Sequence, residues 1–109
     1  MKEYIRRLLE QAIGAENAIT KDELCHKTRL GERAVRNFIR DLRMEGMVIC
    51  STASGAGYYV PKNATEVMHF IREMEKRGRE CYAAASMARQ WMVNNGMDTP
   101  SESIVIDVL

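Results

Sequence analysis

Arg33, Arg36, Asn37 and Arg40 recur at i, i+3, i+4 and i+7, the spacing that gathers side chains on one face of an α-helix. Arginine can bind the O6 and N7 atoms of guanine with two hydrogen bonds, and asparagine the N6 and N7 atoms of adenine. One helix face carrying both groups suits the major groove of duplex DNA. The same four residues also fit an ordinary solvated face, with Glu32 and Arg36 as a helical ion pair. Arg33, Arg36 and Asn37 lie nearest the helix start and are the candidates for base edges. Arg40 and Arg29, with Thr20, Lys21 and Lys27, are candidates for gripping phosphates.

No other group of residues suits chemistry. His26 and His69 are far apart in sequence, and neither stands in a ligand-spaced pair. Cys25 and Cys50 read as core residues rather than nucleophiles. The segment Ser54-Gly55-Ala56-Gly57 lacks the strand-to-helix setting and the following Lys-Ser/Thr of a phosphate loop. The eight methionines are spread along the chain and read as core filler. The expectation is therefore no enzyme, no cofactor and no metal.

Composition sets the frame. At 109 residues, 46% hydrophobic and 28% charged, the chain fits one small globular domain with room for one further element. Its formal charge is +1, so any nucleic-acid role rests on local placement of charge. The longest apolar runs fall far short of the ~18–20 residues that span a bilayer, and no signal-peptide pattern opens the chain. Three widely spaced cysteines without a CxxC argue against a disulfide scaffold and for a reducing, cytoplasmic setting.

The elements that must position the candidate face follow from apolar spacing. Ile5, Leu8, Leu9, Ala12 and Ile13 predict an amphipathic helix over residues 2–13, stopped by Gly14. Thr20 and Glu23 form a capping box that opens a short helix over residues 21–28, with Leu24 and Cys25 inward. A third helix starts near Glu32, with Ala34, Val35, Phe38, Ile39 and Leu42 on its apolar side. Arg43 falls with the outer cations, and Gly46 ends the helix. Residues 47–50 and 58–60 are β-prone and flank a Ser-, Thr- and Gly-rich segment, which predicts a two-stranded hairpin. Pro61 breaks the second strand. Asn63 and Glu66 form another capping box, and the helix they open runs to about Val93, closed by Asn94-Asn95-Gly96.

Helix, helix, turn, helix, ribbon, helix resembles a winged helix-turn-helix domain. Residues 19–36 are similar to the helix-turn-helix of biotin-repressor-type bacterial proteins. They carry a small residue at Cys25, an apolar residue in the turn at Leu30, and an apolar pair at Val35 and Phe38 or Ile39. The run Leu42-Arg43-Met44-Glu45-Gly46-Met47-Val48-Ile49 resembles the family's passage from recognition helix into the first wing strand, and Gly57-Tyr58-Tyr59-Val60 its returning strand. The resemblance covers roughly residues 3–60. Where the family has a turn glycine this chain has Arg29, and the usual Ser or Thr cap of the recognition helix is Gly31. No Lys or Arg lies between Gly46 and Pro61, so the wing offers only Ser51, Thr52 and Ser54 to phosphates. The resemblance implies a mainly α fold with a small β-hairpin, and sequence-specific binding of double-stranded DNA through the third helix.

The last helix carries Val67, Ile71, Met74, Gly78, Cys81, Ala85, Ala88 and Met92 in alternating steps of four and three. At roughly 40–45 Å it exceeds the width of a small winged-helix body, so part of the stripe needs a partner. Met74, Gly78, Cys81, Ala85, Ala88 and Met92, with Trp91 beside the seam, are the expected homodimer contact, parallel or antiparallel. The helix start packs instead against Ile5, Leu8 and Leu9. The expected layout is a DNA-binding domain over residues 1–62, a dimerisation helix over 63–95 and a tail over 96–109. The tail reads as a free end, an added strand or a docking peptide. A bacterial or phage transcriptional regulator is the expected role, since the whole also resembles small prophage-encoded winged-helix proteins. A replication or packaging adaptor and a protein-assembly module are the alternatives.

Overall fold

In the computed structural model, which describes residues 1–97, Ile5 and Leu9 are the fully buried residues of helix α1 (Lys2–Glu10). The helix ends before Ala12, earlier than the apolar spacing predicts. The Ala12 carbonyl accepts the Val60 N–H at 2.8 Å, and Gly14 N–H donates to the Val60 carbonyl at 2.8 Å. Those two bonds take groups a longer helix would need, and Ile13 is left half exposed.

Strand β1 (Ile19–Thr20) leads directly into α2 (Lys21–Thr28). The Thr20 hydroxyl accepts Glu23 N–H at 3.0 Å, the expected cap, worth about 1 kcal/mol. Leu24 is buried, Cys25 only partly, and Thr28 replaces it as a buried residue. The Thr28 hydroxyl donates to the Leu24 carbonyl at 2.6 Å.

Helix α3 (Glu32–Met44) buries Val35, Ile39 and Leu42, each burial contributing roughly 1.5–3 kcal/mol. Gly46 stops it in the left-handed region, at φ +100°. There Met47 N–H reaches the Leu42 carbonyl and Gly46 N–H the Arg43 carbonyl, both at 3.0 Å.

The hairpin is shorter than predicted, β2 being Cys50–Ser51 and β3 Gly57–Tyr59. It forms part of a three-stranded antiparallel sheet in the order β1-β3-β2, with Ile19 opposite Tyr58 and Cys50 opposite Tyr59. The sequence reading missed β1. Gly57 explains why β1 can come so close, because a Cβ there would lie 2.8 Å from the Ile19 carbonyl oxygen.

Arg43 corrects the sequence reading. It is half-buried, and its guanidinium donates to the Ile49 carbonyl from Nε and Nη2, at 3.0 and 2.6 Å. It also lies 5.7 Å from the centre of the Phe70 ring. This arginine holds the hairpin base rather than facing outward with the other cations.

Helix α4 (Ala64–Asn94) opens as predicted, with Asn63 Oδ1 accepting Glu66 N–H at 3.0 Å. The Glu66 carboxylate does not return to Asn63 as a capping box would have it. It accepts Lys62 N–H at 2.9 Å and Ala15 N–H at 3.1 Å. The fold is thus mostly helical, with a small antiparallel sheet and a long C-terminal helix.

The chain divides into two compact units, Met1–Met74 and the residues from Glu75 on. The core of the first gathers Ile5, Leu9, Leu24, Ile39, Leu42 and Ile49, with the start of α4 contributing partly buried Phe70. In the second, no residue of α4 is buried. Met97 N–H closes the helix on the Met92 carbonyl at 2.9 Å, around Gly96. Of the expected tail, residues 98–109 lie outside the described residues.

Candidate nucleic-acid interface

Two caps and one tight turn fix the candidate face. Thr20 starts α2, and Gly31, extended at φ −74° and ψ 165°, starts α3. Between them Arg29 adopts the left-handed conformation, φ 58° and ψ 29°. That turn sets α3 with Val35, Ile39 and Leu42 inward, and Arg33, Arg36, Asn37 and Arg40 all exposed.

The exposed cations differ in how far they are engaged. Glu32, at the start of α3, takes Arg36 Nη2 at 2.7 Å and Lys21 Nζ at 3.4 Å on the same carboxylate oxygen. The Lys21 hydrogen bond, with the Arg36 charge behind it, holds the Glu32 carboxyl below the usual carboxylate range. Lys27 pairs with Glu23 at 3.5 Å, and Arg40 lies 4.0 Å from Asp41. The side chains of Arg29, Arg33 and Asn37 take no hydrogen bond or ion pair among the described residues. Arg33 and Asn37 therefore present unengaged groups at the start of the face.

Thr20 is exposed, but its hydroxyl already caps α2. Thr20, Lys21 and Asp22 border an open cleft with Glu32 of α3 and Ser54, Gly55 and Ala56 of the hairpin turn. Lys21 N–H donates to the Ala56 carbonyl at 2.9 Å, which anchors that turn beside the start of α2. Of the three hydroxyls expected to meet phosphates, only Ser54 lines the cleft. Thr52 Oγ1 accepts Gly57 N–H at 3.1 Å, and Arg43 donates to Ser51 Oγ at 3.4 Å.

The sequence reading paired Glu32 with Arg36 and missed Lys21, which comes from another helix. It also missed the structural use of Arg43. The signal for Arg43 is its place in the last turn of α3, where a cation can turn toward carbonyls beyond the helix end.

The residues assigned to self-association lie along α4. Gly78, Cys81, Ala85, Ala88 and Trp91 are exposed, while Met74 and Met92 are half-buried. A Cβ on Gly78 would meet open space. Among the described residues, no group of three His, Cys, Asp or Glu could hold a metal ion, and no helix is long and apolar enough to cross a membrane. Compared with known proteins, the chain matches no protein-family model, no curated protein and no solved structure, so the reading of this face rests on its own geometry.

Proposed function

We propose that the chain is a winged helix-turn-helix protein that binds double-stranded DNA sequence-specifically as a homodimer, in the cytoplasm, as a bacterial or phage transcriptional regulator. The observation that carries this is the outer face of α3, where Arg33 and Asn37 are unengaged and Arg36 is held only by an exposed carboxylate. The element order supports it too, since a hairpin follows α3 and packs its turn beside the start of α2. In this reading α3 enters the major groove, Arg33, Arg36 and Asn37 meet base edges, and Arg29, Arg40, Lys21 and Lys27 meet phosphates. Thr20 contributes backbone placement, its hydroxyl being taken.

A second reading, a winged helix used for protein assembly, draws on the charge pairs. Lys21, Lys27, Arg36 and Arg40 each face a carboxylate, and the hairpin carries no cation.

Anisotropy of a labelled random duplex of about 30 base pairs separates the two. The DNA reading expects affinity in the micromolar range at low salt, weakening steeply as salt rises. Arg33→Ala with Arg36→Ala should abolish it. Glu32→Gln should tighten it several-fold, because Lys21 and Arg36 lose their internal partner and one like charge leaves the phosphate path. Absence of binding at low salt would overturn the DNA reading in favour of assembly.

A further inference from the structure

Between Met74 and Met92 every residue of α4 is exposed, including Tyr82 at 72% and Trp91 at 56% on the two sides of the seam. Such a run of open apolar side chains on one helix calls for a cover. The seam itself, Gly78, Cys81, Ala85 and Ala88, is built of small side chains, which lets a second helix approach closely. The flanks of the seam carry Glu75, Tyr82 and Arg89 on one side and Arg77, Ala84 and Trp91 on the other, each set spaced by seven.

We propose that a second copy of this chain covers the face, antiparallel, with Gly78 against the partner's Ala88 and Cys81 against the partner's Ala85. This rests on the homodimer of the reading above, but not on DNA binding. Charge complementarity selects the arrangement. In an antiparallel pair, like flanks meet, and this register sets Glu75 beside the partner's Arg89, twice per dimer by symmetry. On the opposite flank Arg77 meets the partner's Trp91 ring, a cation–π pair. The two Tyr82 side chains meet at the two-fold axis. Methionines close both ends of the seam, Met74 against the partner's Met92.

The competing arrangements lose these pairs. A slip of one heptad sets either Glu75 or Arg89 against Tyr82. A parallel pair places Glu75 by the partner's Phe70 and Arg89 by the partner's Ala84, and it opposes Gly78 with itself in a layer without side chains. Within one helix Glu75 and Arg89 are some 21 Å apart, so any coupling between them arises between copies.

Sedimentation equilibrium of the full chain tests both the pairing and its direction. Wild type should be a dimer at micromolar concentration. Glu75→Lys alone, or Arg89→Glu alone, should weaken the dimer about tenfold by putting like charges together. The double reversal should restore it. A Gly78→Cys, Ala88→Cys, Cys81→Ser variant, oxidised and digested, should yield a 78-to-88 crosslinked peptide between copies. A monomer at all concentrations would overturn the pairing. A dimer without rescue, giving 78-to-78 crosslinks, would overturn the antiparallel register and leave the dimer standing. Arg33→Ala with Arg36→Ala should leave the sedimentation unchanged, which keeps this outcome separate from the DNA reading.

Discussion

Arg29 is the only non-glycine residue among those described with positive φ. A side chain there crowds the following carbonyl at a cost of roughly 1–2 kcal/mol. Glycine avoids that crowding, though it loses more backbone freedom on folding. Arg29→Gly should therefore raise stability by about 0.5–1 kcal/mol, read as a higher urea midpoint at unchanged slope. A lower midpoint would show that the Arg29 side chain stabilises the turn by more than its conformation costs. The sequence shows at this position only a cation, with nothing to mark a left-handed turn. By contrast, Arg36 and Arg43 are seven apart, nearly the same angle on the helix, and look alike. What separates them is the Ile49 carbonyl, which the path of the chain after Gly46 brings beside Arg43. No helical periodicity encodes that path.

At the scale of elements, what is local was legible. Helices α2 and α3 begin and end where Thr20 and Gly46 say they should, because caps act within one turn of their own helix. The buried side of α3 follows from its 3.6-residue repeat. Strand β1 was not legible, since two residues have no periodicity and Ile19 and Thr20 are recruited by a strand almost forty positions away. Gly57 is the enabling residue. Gly57→Ala would push a methyl against the Ile19 carbonyl and should cost about 1–3 kcal/mol. Amide exchange at Lys21, whose N–H bonds the Ala56 carbonyl, should accelerate more than at Leu42 if β1 separates first. Equal acceleration throughout would mean the sheet and helices open together. The α4 stripe was equally plain in sequence, whereas the exposure of every α4 side chain between Met74 and Met92 is a matter of what packs elsewhere.

For the molecule as a whole, charge pairs tie distant segments together. Glu45 receives Lys2 and Arg6 from α1, and Glu16 receives Lys62 at 2.8 Å. The lysine hydrogen bonds hold the carboxyls of Glu16, Glu32 and Glu45 below their ordinary value of 4.5. A depressed carboxyl stabilises the fold above its unfolded value and loses that contribution as pH falls through the folded one. The ammonium groups of Lys2 and Lys62, bonded to Glu45 and Glu16, are raised above 10.5. Their contribution is present below that value and fades as pH climbs through the raised one. Urea midpoints should thus be highest in the broad range between, falling below about pH 4.5 and above about pH 10.5. Because each of these pairs has an exposed carboxylate and none is buried, about 1 M salt should flatten both falls. An acid fall that salt leaves untouched would assign it to groups other than these pairs.

The double grip of Glu66 on the Lys62 and Ala15 amides also bears on the order in which the protein is made. Synthesis runs from the N-terminus, so α1, α2 and α3 leave the ribosome before Tyr58 and Glu66 do. Through that interval Ile19 and Thr20 have no strand beside them, and the Ala15 amide has no carboxylate. A fragment cut at residue 62 would hold every strand of the sheet but lack the Glu66 tie. The first compact unit runs through Met74, so the opening turns of the long helix work as the last stitch of the unit that precedes it.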